Sequence, residues 1–157
     1  MSNLYLPTYE MVVEIHDIVL EASGGKAGVH VKSDILRAIE RPMTYTAYVD
    51  EYDIDTICAV LIDSIARYHG FKDGNKRTAL MTAMLTYRIN GFHYAATVEM
   101  NKDFDELVMW VVRQKPEIAE VEQQLKTLRE HHKSNSEQSF KDMILSFIKM
   151  RLKKEKK

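Results

Sequence analysis

The sequence has a single cysteine, a single tryptophan and only three prolines. Cys58 sits inside an apolar run with no second cysteine to pair with, which excludes a disulfide scaffold and fits a reducing compartment. No stretch reaches the ~18 consecutive apolar residues of a membrane span, and no leader pattern opens the chain. The expectation is a cytoplasmic protein that does not engage a membrane. An excess of positive charge is missing as well. Residues 149–157 carry a local +5, which leaves about −6 for the rest of a chain whose total is −1. An acidic body argues against nucleic acid as the main partner.

What is present is ordinary for a globular protein: 157 residues, 45% hydrophobic and 29% charged, enough for one domain with a real core. The apolar residues recur at helical spacing, so the predicted class is an all-α bundle. Thr8, after Pro7, caps a first helix carrying Met11, Val12, Ile15, Ile18 and Val19, closed by Gly24-Gly25. Ser33-Asp34 caps a short second helix with Ile35, Leu36 and Ile39, predicted to end at Arg41-Pro42. Asp53 or Asp55 caps a third, and a fourth runs from about Asn75 to Asn90; both are apolar nearly all round and therefore buried. A fifth is predicted to start between Asn101 and Asp103, and a sixth from Pro116 to about His131, where the His131-His132 pair reads as solvated. Phe140, Met143, Ile144, Phe147, Ile148 and Leu152 form an amphipathic stripe before the basic tail. The predicted organisation is a domain over 1–132 and a helical, basic extension over 133–157.

Between the second and third helices, residues 42–52 are rich in Thr, Tyr and Val. That composition favours extended backbone and a small hairpin. It suits either an ordered surface loop or a clamp that holds an extended peptide by strand addition.

The two buried helices bracket His69-Gly70-Phe71-Lys72-Asp73-Gly74-Asn75-Lys76-Arg77. These nine residues bring together a base, a carboxylate, a Gly-Asn pair and two cations. Gly74 permits positive φ, and a helix that starts there directs its free N–H groups and the positive end of its dipole at the turn. That is equipment for a nucleotide triphosphate. The plain alternative is a polar turn between two core helices. Phe71, apolar inside this turn, reads as a packing anchor, and Lys72 as solvated.

The nine residues resemble the signature of the Fic/Doc superfamily. They are closer to the Doc (death-on-curing) toxins, which carry Asn-Lys-Arg, than to the Fic adenylyltransferases, which carry Gly-Asn-Gly-Arg. The resemblance runs from residue 5 to about 113 and includes Gly24, Gly25, Gly28, Val29, Leu36, Arg41-Pro42 and Asn90-Gly91-Phe92. One departure is Gly70, where many members have proline or another residue; it is expected to loosen the loop slightly and removes no reacting group.

The resemblance implies a compact Fic-like bundle and a toxin that transfers the γ-phosphoryl group of Mg²⁺-bound ATP to a protein hydroxyl. In Doc that hydroxyl belongs to a threonine of elongation factor Tu, and a small separate antitoxin inhibits in trans. His69, whose side-chain type titrates near pH 6.5, would be the general base. Asp73 would hold Mg²⁺. Gly74, Asn75, Lys76 and Arg77 would bind phosphate, with Lys76 and Arg77 also acting in catalysis. Met43, Thr44 and Tyr45 would form the target flap. Adenylyl transfer of Fic type remains open at this point, opposed by Lys76 and by Leu80 where Fic sequences have a second arginine. So does a non-enzymatic module that keeps the fold.

Overall fold

The computed structural model describes residues 3–94, 97–133, 141, 142, 144, 145 and 148. Its elements are α1 (Tyr9–Ser23), α2 (Lys32–Thr46), α3 (Ile54–Tyr68), α4 (Asn75–Ile89), α5 (Val98–Gln114) and α6 (Ile118–His132), with no sheet among the described residues. The all-α class expected from the 3.6-residue period is what the chain adopts.

Most helix starts follow from local chemistry, but α2 opens at Lys32 after Val31 with no side-chain cap, so Ser33 and Asp34 lie inside the helix rather than capping it. The Thr8 hydroxyl accepts the Met11 N–H at 3.2 Å, and Asp53 forms a capping box with Thr56. Asp55, the other candidate cap, is fully buried instead. α5 begins earlier than expected because Thr97 caps it by accepting the Met100 N–H at 3.0 Å. α6 starts at Ile118 on a capping box of Glu117 and Glu120, with Pro116 just outside it.

α3 is the axis of the bundle. Every side chain from Ile54 to Ala66 is buried, because α2, α4, α5 and α6 all pack around it. α1 lies on α4 and touches α2. Cys58 is buried against the Ala83 carbonyl, and burial pushes its thiol well above the usual range. Asp55 receives hydrogen bonds from Tyr87 Oη at 2.7 Å and from Arg129 Nη2 at 2.9 Å, which fastens α6 to α3 and α4.

Two expectations are corrected here. The β-like flap over 42–52 does not form, and α2 does not stop at Arg41-Pro42. The helix continues to Thr46 with Pro42 inside it, and a turn and bend follow. Pro42 is buried, and Arg41 reaches across to Asp63 and to the Ser64 hydroxyl on α3. Packing of α2 along α3 thus overrides the local preference for extended backbone and the helix-stopping tendency of proline. A third correction concerns His132, which is buried and lies 2.8 Å from Asp103 of α5, whereas His131 is exposed beside Glu99.

Residues 141, 142, 144, 145 and 148 are helical, and Ile144 and Ile148 join the core cluster. Phe140, Met143, Phe147, Leu152 and the basic tail lie outside the described residues. No helix among the described residues is long and apolar enough to cross a membrane.

Candidate active site

The loop between α3 and α4 is folded on itself by one side chain. Asn75 Oδ1 accepts the Phe71 N–H at 3.0 Å, and Asn75 Nδ2 donates to the Phe71 carbonyl at 3.0 Å. Both polar atoms of the amide are used in this way, which leaves the backbone N–H and one Nδ2 hydrogen of Asn75 for any anion. Gly74, left-handed at φ 79, starts α4, and the first intrahelical bond runs from Thr78 N–H to the Gly74 carbonyl at 2.9 Å. The N–H groups of Asn75, Lys76 and Arg77 precede that bond and point outward from the helix end, where a phosphate gains from them and from the dipole.

His69 ends α3 in the left-handed region at φ 55, one of two non-glycine residues with positive φ among the described residues. A backbone conformation that side chains rarely adopt persists where the surroundings enforce it. Here they do. The Gly70 carbonyl accepts the N–H groups of His30 and Val31 at 2.8 and 3.0 Å, and a Cβ on Gly70 would sit 2.4 Å from Ile35 Cγ1. Gly70 therefore lets the loop pack closely against α2, where a side chain would not fit.

The Asp73 carboxylate is held from two sides. Its Oδ1 accepts the Gly74 N–H at 2.8 Å and its Oδ2 accepts the Lys26 N–H at 3.3 Å. The Gly74 bond first, then the Lys26 bond, with the Arg77 charge adding, keep its pKa below the ordinary carboxylate value. Arg77 donates to the Ser23 hydroxyl at the end of α1, and Ser23 in turn donates to the Val19 carbonyl at 2.7 Å.

These pieces surround one cavity of about 480 Å³, lined by Ser23, Ala66, His69, Lys72, Asp73, Gly74, Asn75, Lys76, Arg77 and Ile148. The structure thus brings together His69, Asp73, Gly74, Asn75, Lys76 and Arg77. Lys72 also lines the cavity, and Phe71 is 2% exposed beneath it. Met43, Thr44 and Tyr45 are not brought there: they lie in the last turns of α2, beyond the point where Arg41 meets Asp63. Leu80 is buried in the core and offers nothing to a ligand. Ser23, Lys26 and Ile148 were not legible as site residues, since each arrives from a distant segment.

Asp73 fits a hard divalent cation. Its carboxylate is 46% exposed, and each oxygen retains a lone pair after its backbone bond. No cluster of three or more His, Cys, Asp or Glu side chains suited to a metal occurs among the described residues. A cation here would rest on one carboxylate, phosphate oxygens and water, the ligand set that Mg²⁺ prefers.

The sequence matches a known family over its N-terminal half and known proteins over about half of its length. The Fic/DOC family model matches residues 6–87. The chain is similar to "Protein kinase doc" of Escherichia phage P1, 34% identical over 82 residues, covering 52% of this chain and 65% of that protein. It is also similar to "Toxin Doc" of Mycolicibacterium smegmatis (strain ATCC 700084 / mc(2)155), 35% identical over 85 residues, covering 54% of this chain and 65% of that protein. The chain therefore spans a little less than two thirds of the length of each of these relatives. With the signature loop, the buried helix pair and more than half of its length matched, the chain belongs to the Fic/DOC family.

Proposed function

We propose that the chain is a Doc-type toxin, a protein kinase that transfers the γ-phosphoryl group of ATP to a hydroxyl of a translation factor, with elongation factor Tu the first target to test. The observation that carries this reading is the convergence of His69, Asp73, Lys76, Arg77 and the α4 N-terminus on one cavity. The relatives' names, a kinase and a toxin, support it.

In this reading His69 accepts the proton of the target hydroxyl as its oxygen attacks the γ-phosphorus. The bond from that phosphorus to the bridging oxygen breaks, and ADP leaves with the electron pair. Arg77, fixed by Ser23, and Lys76 face the charge that spreads over the phosphoryl oxygens, while the N–H groups at the start of α4 hold the nucleotide's phosphates. Asp73 would hold Mg²⁺, which when bound neutralises phosphate charge. A separate antitoxin would silence the enzyme in the cytoplasm of the producing cell.

The test incubates the protein with elongation factor Tu and ATP labelled on either the γ- or the α-phosphate. Transfer of γ-label, with a mass gain of one phosphoryl group, is expected. Transfer of α-label with an AMP adduct would replace the kinase reading with adenylyl transfer. Absence of both would favour a binding module.

A further inference from the structure

His16 lies on the inward face of α1 and is 1% exposed. Its Nε2 is 2.7 Å from the carbonyl oxygen of Asp73, 57 residues away in sequence. A carbonyl can only accept, so Nε2 carries a proton and donates it to this bond. Nδ1 faces the exposed Asp17 carboxylate at 3.7 Å, too far for a hydrogen bond. The same ring stacks on Phe71, centroids 3.8 Å apart and planes 10° from parallel. Its edge also closes on Gly74, where an added Cβ would stand 3.6 Å from His16 Cδ2. One imidazole thus touches residues 71 and 73 of the signature loop and would meet any side chain placed at residue 74.

The carbonyl that His16 holds belongs to the peptide joining Asp73 to Gly74. The N–H of that same peptide is the one that Asp73 Oδ1 accepts. Turning this peptide plane would therefore release the carboxylate and carry Gly74 out of the left-handed conformation from which α4 starts.

We propose that His16 is a positioning residue for the transfer reaction: its Nε2–H fixes the Asp73–Gly74 peptide and so sets both the metal-binding carboxylate and the phosphate-facing end of α4. The kinetic part of this proposal rests on the phosphoryl-transfer reading; the structural part does not.

Two variants separate positioning from packing. His16→Phe keeps the aromatic stack and removes the N–H, whereas His16→Gln removes the ring and keeps an N–H donor of similar reach. If His16 positions the peptide, H16F loses about a hundredfold in kcat/KM and needs more Mg²⁺ at half-saturation, while H16Q recovers most of the loss. Loss in H16Q with near-normal turnover in H16F would show a packing role and overturn the proposal. Two NMR measurements on the protein alone keep the test independent of activity. The ¹⁵N shifts of His16 in the wild type should report the Nε2–H tautomer, and the Gly74 amide resonance should move in H16F and return in H16Q. An Nδ1–H tautomer, or a Gly74 resonance indifferent to both variants, would refute the proposal. A wild type that transfers nothing from ATP would instead count against the kinase reading, with the NMR arms still deciding the role of His16.

Discussion

Asn75 satisfies the backbone N–H and the backbone carbonyl of Phe71 with a single side chain, at 3.0 Å each. The residue that opens α4 is therefore a clasp on the loop that precedes it. Replacing its donor with an acceptor sets two oxygens against each other. Asn75→Asp should cost about 1–3 kcal/mol by urea denaturation and loosen nucleotide binding, a change confined to one atom. Unchanged stability would mean that the clasp is open in solution.

The left-handed backbone of His69 bears on how the proposed base should be tested. Alanine there changes the chemistry and the conformational preference together. Asparagine tolerates the same φ far better. His69→Asn should keep the melting temperature close to wild type while transfer falls roughly 10²–10⁴-fold, the range for a lost general base. A variant that retains full transfer would remove His69 from the mechanism.

Asp73 should titrate low. Its folded pKa is depressed by the Gly74 and Lys26 N–H groups, so their contribution is present at neutral pH and is lost as pH falls through the lowered value. The ¹³C resonance of its carboxyl in the free protein should therefore titrate below the ordinary aspartate value. Gly25→Ala tests the cause, because a Cβ at Gly25 would stand 2.5 Å from Asp73 Oδ2 at a φ of +123. In that variant the midpoint should rise.

Arg129 is the cation within reach of the fully buried Asp55, which it grips with both Nε and Nη2. Arg129→Met leaves that carboxylate, among the described residues, with the Tyr87 hydroxyl alone. A loss of about 3–5 kcal/mol in unfolding free energy is expected, and Asp55→Leu in the same chain should restore much of it. If the double variant is no more stable than the single one, the pair is not the cause.

The helices were legible because their signals are local. Thr8, Asp53 and the apolar run of α3 act within a turn or two of themselves. Pro42 was misleading for the opposite reason: whether a helix runs through a proline depends on what it packs against, and here that is Asp63 and Ser64, 22 and 23 residues from Arg41. The Thr- and Tyr-rich stretch after it was overruled by the same packing. In the site, the chemistry-bearing residues were readable since loop and helix end form one contiguous piece. Their supports were not. His16, Ser23 and Lys26 come from α1 and its exit, across separations of 57, 54 and 47 residues. Nothing in the signature itself indicates that Asn75 turns its amide inward.

The clamp between Asp55 and Arg129 also bears on how such a chain can evolve. The segment that the family model recognises ends at residue 87, yet the cation that neutralises its most deeply buried acid is supplied by α6. Recombination that exchanged the C-terminal helices would preserve every residue of the signature and still leave a buried carboxylate in the core without the cation that neutralises it. A grafted replacement would be tolerated only if it brought a cation to the same spot, or if position 55 had first become neutral. The stretch that must be kept together for this core to stay neutral therefore extends well beyond residue 87.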